Sequence, residues 1–151
     1  MGWVLERIGD DLFPEMAAAT GAMLVGRTTY DVARRMAPED TSYDGGPQLV
    51  LTHRPPDEPD PSVTFLTCGL VEALDRARSA AGGKDVEVLG TDLAGQCLRE
   101  GLVDEVRVYV LPVLLGDGVR LTTPDLGLVD LEPLGATTAG KVTLLRFRVV
   151  G

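Results

Sequence analysis

The sequence has little of what metal and covalent chemistry usually requires. One histidine, His53, and two cysteines, Cys68 and Cys97, stand among 151 residues, with no CxxC pair. That argues against a zinc site and against a Cys-His nucleophile pair. A metal-dependent or covalent hydrolase lacks its residues too, with one histidine and no nucleophile elbow. One or both cysteines read as small core residues, and His53 as a loop residue after a strand. No apolar run approaches the ~20 residues of a membrane-spanning helix. The opening "MGWVLERIGDD" lacks the charged start and apolar stretch of a signal peptide, so a cytoplasmic protein is expected. Lysine is scarce too: twelve of the fourteen cations are arginines. Against twenty-three acids they leave a net charge of -9, a field that repels nucleic acid and anionic membrane. The expected partner is therefore a small molecule, and any anion must be held by a few local cations. The arginine excess fits fixed, forked hydrogen bonding and fits compositional bias equally well.

What is present is an alternation of short β-rich and helical runs in one expected domain, residues 1–151. "AMLV" reads as a buried strand, and "TTYDVARRM" as a helix with Tyr30, Ala33 and Met36 on one face. "PQLVLT" is a second strand, stopped by the proline-rich acidic loop "HRPPDEPDP". "VTFLT" follows, then a helix in "GLVEALDRARSAAGG" with Leu70, Leu74, Ala77 and Ala81 at turn spacing. "DVEVLG" and "TDLAGQCLREG" add another strand and helix. "VDEVRVYVLPVLL" alternates Val106, Val108 and Val110 with Arg107 and Tyr109, as a half-buried strand does. The tail predicts two strands around a Thr-Ala-Gly turn, with Leu145, Phe147 and Val149 inward and Arg146 and Arg148 outward. This order predicts a mostly parallel α/β sheet with an antiparallel edge.

Three joints in this order could hold phosphate. At the first, Gly26 bares the backbone, and Arg27 brings a forked cation to a helix N-terminus where free N–H groups and the dipole attract anions. Thr28 can cap that helix, with Asp31 completing a capping-box-like spacing. An arginine that simply points at solvent fits the same pattern. At the second, Gly90 ends a strand and Thr91 or Asp92 caps the next helix, although Asp92 sets a negative charge there. At the third, Thr52 and Arg54 leave a strand end just before Pro55-Pro56. Three such joints in one chain, two with an arginine, point to an extended dinucleotide.

Together "MLVGRTTYDV", "LVLTHRP", "VEVLGTDLAGQCLREGLVDEVRVYVLPVLLGDGVRL" and the closing strand pair resemble the dihydrofolate reductase superfamily, in its RibD C-terminal domain-like branch. The resemblance runs from about Gly21 to the C-terminus. It is most specific in "GLVDEVRVYVLPVLLGDGVRL" and in the Gly-Arg-x-Thr helix start. It implies a three-layer α/β fold, an NADPH-dependent reductase of a pterin-, pyrimidine- or flavin-like heterocycle, and a homodimer. It places Gly26, Arg27, Thr28 and Thr29 on the cofactor's phosphates, Thr52 and Arg54 by the adenosine phosphate, and Gly90, Thr91 and Leu93 around the pyrophosphate. Gly116 and Gly118 fall at a turn for which a structural role is expected. No metal is implied.

Two departures accompany the resemblance. Members usually carry two glycines where this chain has Gly90-Thr91, followed by Asp92. They also open with a strand and an S-L-D-G-like loop ahead of a Trp-containing segment that Trp3 resembles. The absence of that opening admits three accounts: an upstream start, a partner chain that supplies the cover, or a variant whose sheet has closed up. The last would be a non-redox derivative acting as a ligand-binding or pathway-accessory dimer. For a substrate-binding carboxylate, the candidates are Asp10 and Asp11, with Glu15 beside them. The same acids suit a solvated helix start.

Overall fold

The computed structural model describes residues 14–36 and 46–151. Within them the chain runs α1 (Pro14–Ala19), β1 (Thr20–Gly26), α2 (Arg27–Met36), β2 (Gln48–Leu51), β3 (Val63–Leu66), α3 (Leu70–Ala81), β4 (Asp85–Leu89), α4 (Thr91–Arg99), β5 (Glu105–Val110), β6 (Asp130–Ala139) and β7 (Val142–Val150). The described residues fall into two compact units, 14–94 and 95–151. No described helix is long and apolar enough to cross a membrane.

The first unit is built on a four-stranded sheet in the order β3-β2-β1-β4, with every pairing parallel. From β1 the chain steps outward to β2 and β3, then returns to set β4 on the other side of β1. The two crossovers therefore run in opposite directions, and right-handed connections place α2 and α3 on opposite faces. β1 is buried along almost its whole length, as a strand covered on both faces must be. Its Met23 and Val25 join Tyr30 of α2, Val50 and Val63 in one apolar cluster. The Tyr30 ring meets Phe65 edge-on, with centroids 5.3 Å apart. Ala22 and Leu24 alternate to the opposite face and are fully buried. α3 contributes a stripe of Ala73, Leu74, Ala77 and Ala81, and Gly82 ends it in a left-handed conformation.

Two helix-face expectations need correction. Ala33 is exposed and Met36 only partly covered, so Tyr30 is the buried anchor of α2. In α3 the stripe includes Ala73, while Leu70 is only half-buried at the first turn. Each helix meets the sheet along less of its length than apolar spacing alone implies.

In the second unit β5, β7 and β6 form an antiparallel sheet of their own, where the sequence pattern predicts an antiparallel edge on the parallel one. The register keeps the expected sharing of faces but not the expected inward side, because the buried Val142 and Leu144 lie on the face of Arg146. Val106, Val108 and Val110 face the same side as Leu145 and Phe147, with Arg107 and Arg146 opposite. The fully buried residues of β7 are nevertheless Val142 and Leu144, whereas Leu145, Phe147 and Val149 are half-buried. On the polar side Glu105 accepts two hydrogen bonds from Arg146, at 2.7 and 2.8 Å, and one from Arg107 at 2.8 Å. These arginines, Arg146 foremost, hold the Glu105 carboxyl at about 2, well below the usual carboxylate range.

Candidate functional site

The parallel strands bring the three predicted joints to one edge. β2, β1 and β4 are adjacent and parallel, so their carboxyl ends lie side by side. Thr52 and Arg54 follow β2, Gly26 ends β1 and Arg27 opens α2, and Gly90 follows β4. The strand order reverses between β1 and β4, and α/β sheets bind ligands outside the carboxyl ends at such a switch point.

There the two joints touch. Gly90 has φ +104°, and a Cβ on it would lie 2.5 Å from Thr29 Oγ1. The conformation strains any L-residue and an added Cβ would force Thr29 to shift, so the fold itself favours glycine here. Gly26 differs: a Cβ there would meet nothing within 4 Å. The fold does not need glycine at this position, which leaves bare backbone and open space beside the Gly90–Thr29 contact.

The first turn of α2 departs from the expected cap. The helix begins at Arg27, so Thr28 lies inside the first turn, exposed, and not at the cap. Asp31 turns to Arg27: its two oxygens accept Nε at 2.8 and 3.0 Å. The i,i+4 spacing makes the two side chains neighbours on the helix, and the ion pair outcompetes a backbone cap. Arg27 Nη1 also donates to the Arg54 carbonyl at 2.8 Å. The guanidinium is thus tied on two sides and is not turned freely to solvent. A groove of about 570 Å³ runs beside it, lined by Tyr30, Arg34, Pro56 and Glu58 among others.

At the third joint Thr52 and Arg54 form a closed turn. Thr52 Oγ1 donates to the Arg54 carbonyl at 3.1 Å and accepts the Arg54 N–H at 3.2 Å. The Arg54 side chain is exposed. At the second joint the Gly90 carbonyl accepts the Ala94 N–H at 2.9 Å, which puts Gly90, and not Thr91 or Asp92, at the cap position before α4. Leu93 is buried, so only its backbone could meet a ligand, and the Asp92 side chain is exposed in the first turn.

Asp10, Asp11 and Trp3 lie outside the described residues, and Glu15 is exposed at the start of α1. Gly116 and Gly118 sit in an exposed turn where the Gly118 N–H donates to Asp117. Cys97 is fully buried, and burial raises its thiol pKa; Cys68 is half-buried. A larger groove, about 740 Å³, lies in the second unit beside Asp104, Glu105, Arg146 and Arg148. It holds none of the joint residues, and its arginines already bond Glu105 and Glu132. Sequence reasoning missed the Arg27–Asp31 pair, which the i,i+4 spacing signals, and the Arg27–Arg54 tie, which no local pattern signals.

Comparison with solved structures gives the fold. A putative riboflavin biosynthesis protein from Shewanella sp. PV-4 superposes with a TM-score of 0.79 at 19% identity, over 100% of this chain and 88% of that one. RibD of Acinetobacter baumannii gives 0.64 at 19% identity, over 90% of this chain and 49% of its own. A diaminohydroxyphosphoribosylaminopyrimidine deaminase/5-amino-6-(5-phosphoribosylamino)uracil reductase from Thermotoga maritima gives 0.61 at 15%, over 95% and 50%. The fold is that of the dihydrofolate reductase-like α/β proteins. Residues 2–145 match the RibD C-terminal domain family, and the chain belongs to it. The match begins well before Gly21, where the recognisable motifs start. Among curated proteins, the uncharacterized protein YwjB of Bacillus subtilis (strain 168) is 26% identical over 113 residues, 75% of this chain and 64% of that protein. The chain thus spans about half the length of the Acinetobacter and Thermotoga proteins and under two thirds of YwjB.

Proposed function

We propose that the protein is an NADPH-dependent reductase of a small heterocyclic substrate, with the cofactor's phosphates along the carboxyl edge of the parallel sheet. The observation that carries this reading is the meeting of Gly90 with Thr29 at the switch point between β1 and β4, with Gly26 open beside it. Backbone N–H groups at Thr28, Thr29, Thr91 and Leu93 would serve the pyrophosphate. Thr52 and Arg54, one strand away, would serve the phosphate on the adenosine ribose, whose charge distinguishes NADPH from NADH. Bound there, the cofactor would supply hydride, and the chain would supply placement and a field that favours the phosphates.

Membership of the RibD C-terminal domain family supports a reductase. The uracil reductase activity in the Thermotoga protein's name favours the pyrimidine end of the substrate range. A homodimer in the cytoplasm is part of the same proposal. Calorimetric titration with NADPH and NADH tests it. Saturable binding with NADPH preferred supports it, and no heat at millimolar NADPH with folded protein refutes it. A second reading, a non-redox ligand-binding derivative, is favoured by the exposed carboxylate of Asp92 in the first turn of α4. It predicts nucleotide binding without oxidation of NADPH in the presence of any reducible pterin, pyrimidine or flavin.

A further inference from the structure

We infer that the antiparallel sheet of β5, β7 and β6 docks a second copy of this chain, face to face, through its apolar side. The homodimer named above is a stoichiometry; this assigns it a surface, within the second unit and independent of the cofactor site. The register sorts the side chains of the three strands onto two unlike faces. All the charged residues of these strands, Glu105, Arg107, Asp130, Glu132, Arg146 and Arg148, share one face. The central rows of the other are Val106–Phe147–Pro133 and Val108–Leu145–Ala136, and the rows that flank them hold only valine, leucine and threonine. An antiparallel sheet with one covered face normally turns its apolar side to the core. Here the order is reversed. The buried Val142 and Leu144 belong to the charged face, and no side chain of the apolar face is fully buried. At its margins Val110 and Leu131 are 43% and 42% exposed.

A second copy fits this face by charge, shape and area. Each copy carries a net charge of -9, so two copies can close only where neither presents charge, and this face presents none. A two-fold axis sets identical faces together, about 10 Å apart as stacked sheets pack. Three strands about 4.8 Å apart and four rows about 7 Å apart make a patch of roughly 15 by 27 Å. Two such patches, with side-chain relief, bury on the order of 1,000 Å², the lower bound of a specific interface, so the dimer is reversible. Pairing through the outer strand β6 is disfavoured by that strand itself. Pro133 has no N–H to give, and the register slips between Pro133 and Gly135, two features that keep another strand from adding at an edge.

Ala136 and Thr137 are neighbours on β6, both exposed, and point to opposite faces. Lysine at either position stays in water in a lone copy, so the two variants compare faces and not folding. Sedimentation velocity from micromolar to submillimolar protein reads the association, with circular dichroism to verify the fold. Wild type is expected to dimerise. Ala136→Lys places an ammonium inside the stack and should raise the dimer Kd roughly a hundredfold. Thr137→Lys, on the charged face, should leave it within about threefold. Should Ala136→Lys fail to fold, Leu131→Lys, at the exposed margin of the same face, repeats the test. A wild-type protein that stays monomeric across the range overturns the inference, as does Ala136→Lys that dimerises like wild type. Equal dissociation by both lysines would point to the strand edge and overturns it too. A dimer that ignores NADPH sinks the cofactor reading and leaves this surface standing; a monomer that binds NADPH does the reverse.

Discussion

Replacing Gly90 by alanine strikes the contact on which the site is built. At φ +104° an L-residue is outside its allowed regions, which costs about 1–3 kcal/mol. The added Cβ would also stand 2.5 Å from Thr29 Oγ1 and 3.6 Å from Thr29 Cβ. The nearer atom is a hydroxyl that can swing away, so the steric part is about 1 kcal/mol, the scale of an off-rotamer side chain. The sum, about 2–4 kcal/mol, lowers Tm by roughly 4–16 °C in a chain of this size. Thr29→Ala in the Gly90→Ala background removes the hydroxyl and should recover about 1 kcal/mol, leaving the backbone part in place. Thermal melts of the two single variants, the double variant and wild type give the coupling directly. A Gly90→Ala protein that melts with wild type, or a cycle with no coupling between 29 and 90, would show that the β1 and β4 joints do not abut.

Other consequences follow from the same geometry. A Cβ at Gly21 would overlap the Ala81 carbonyl oxygen and come within 2.8 Å of Lys84 Cβ, so Gly21→Ala should destabilise by about 3 kcal/mol in urea unfolding. Glu105 has its pKa lowered from 4.5 to about 2 chiefly by Arg146, so its contribution is complete above 4.5 and is lost as pH falls from 4.5 through 2. That contribution is at most about 3 kcal/mol, and Glu105→Gln should flatten the acid limb of a urea-midpoint profile between pH 2 and 6. Thiol labelling of the native protein should modify Cys68 first and Cys97 only on unfolding, because Cys97 is fully buried.

Much of this was legible in the sequence because it is written in local pattern. β1, α3 and the β6–β7 hairpin follow from apolar runs, turn-spaced small residues and alternation around Gly140. The three joints were visible as glycine, threonine and arginine at element boundaries. What local pattern does not carry is which strand lies beside which. That β4 returns to the far side of β1, so that Gly90 meets Thr29, is a property of the sheet and of the handedness of its connections. The antiparallel sheet of β5, β7 and β6 is hidden for the same reason. Alternation in β7 shows which residues share a face but not that burial concentrates at Val142 and Leu144. The bonds of Arg27 were hidden for a different reason: Asp31 four residues on and a carbonyl twenty-seven residues away each accept from its guanidinium, and the second partner is set by the sheet and not by local pattern.

Amide chemical-shift mapping on titration with NADPH tests the central claim most directly. The account predicts saturable shifts gathered at residues 26–29, 52–54 and 90–93, the three joints of one sheet edge. Shifts confined to the groove beside Asp104, Glu105 and Arg146, or none at saturating cofactor, would contradict it.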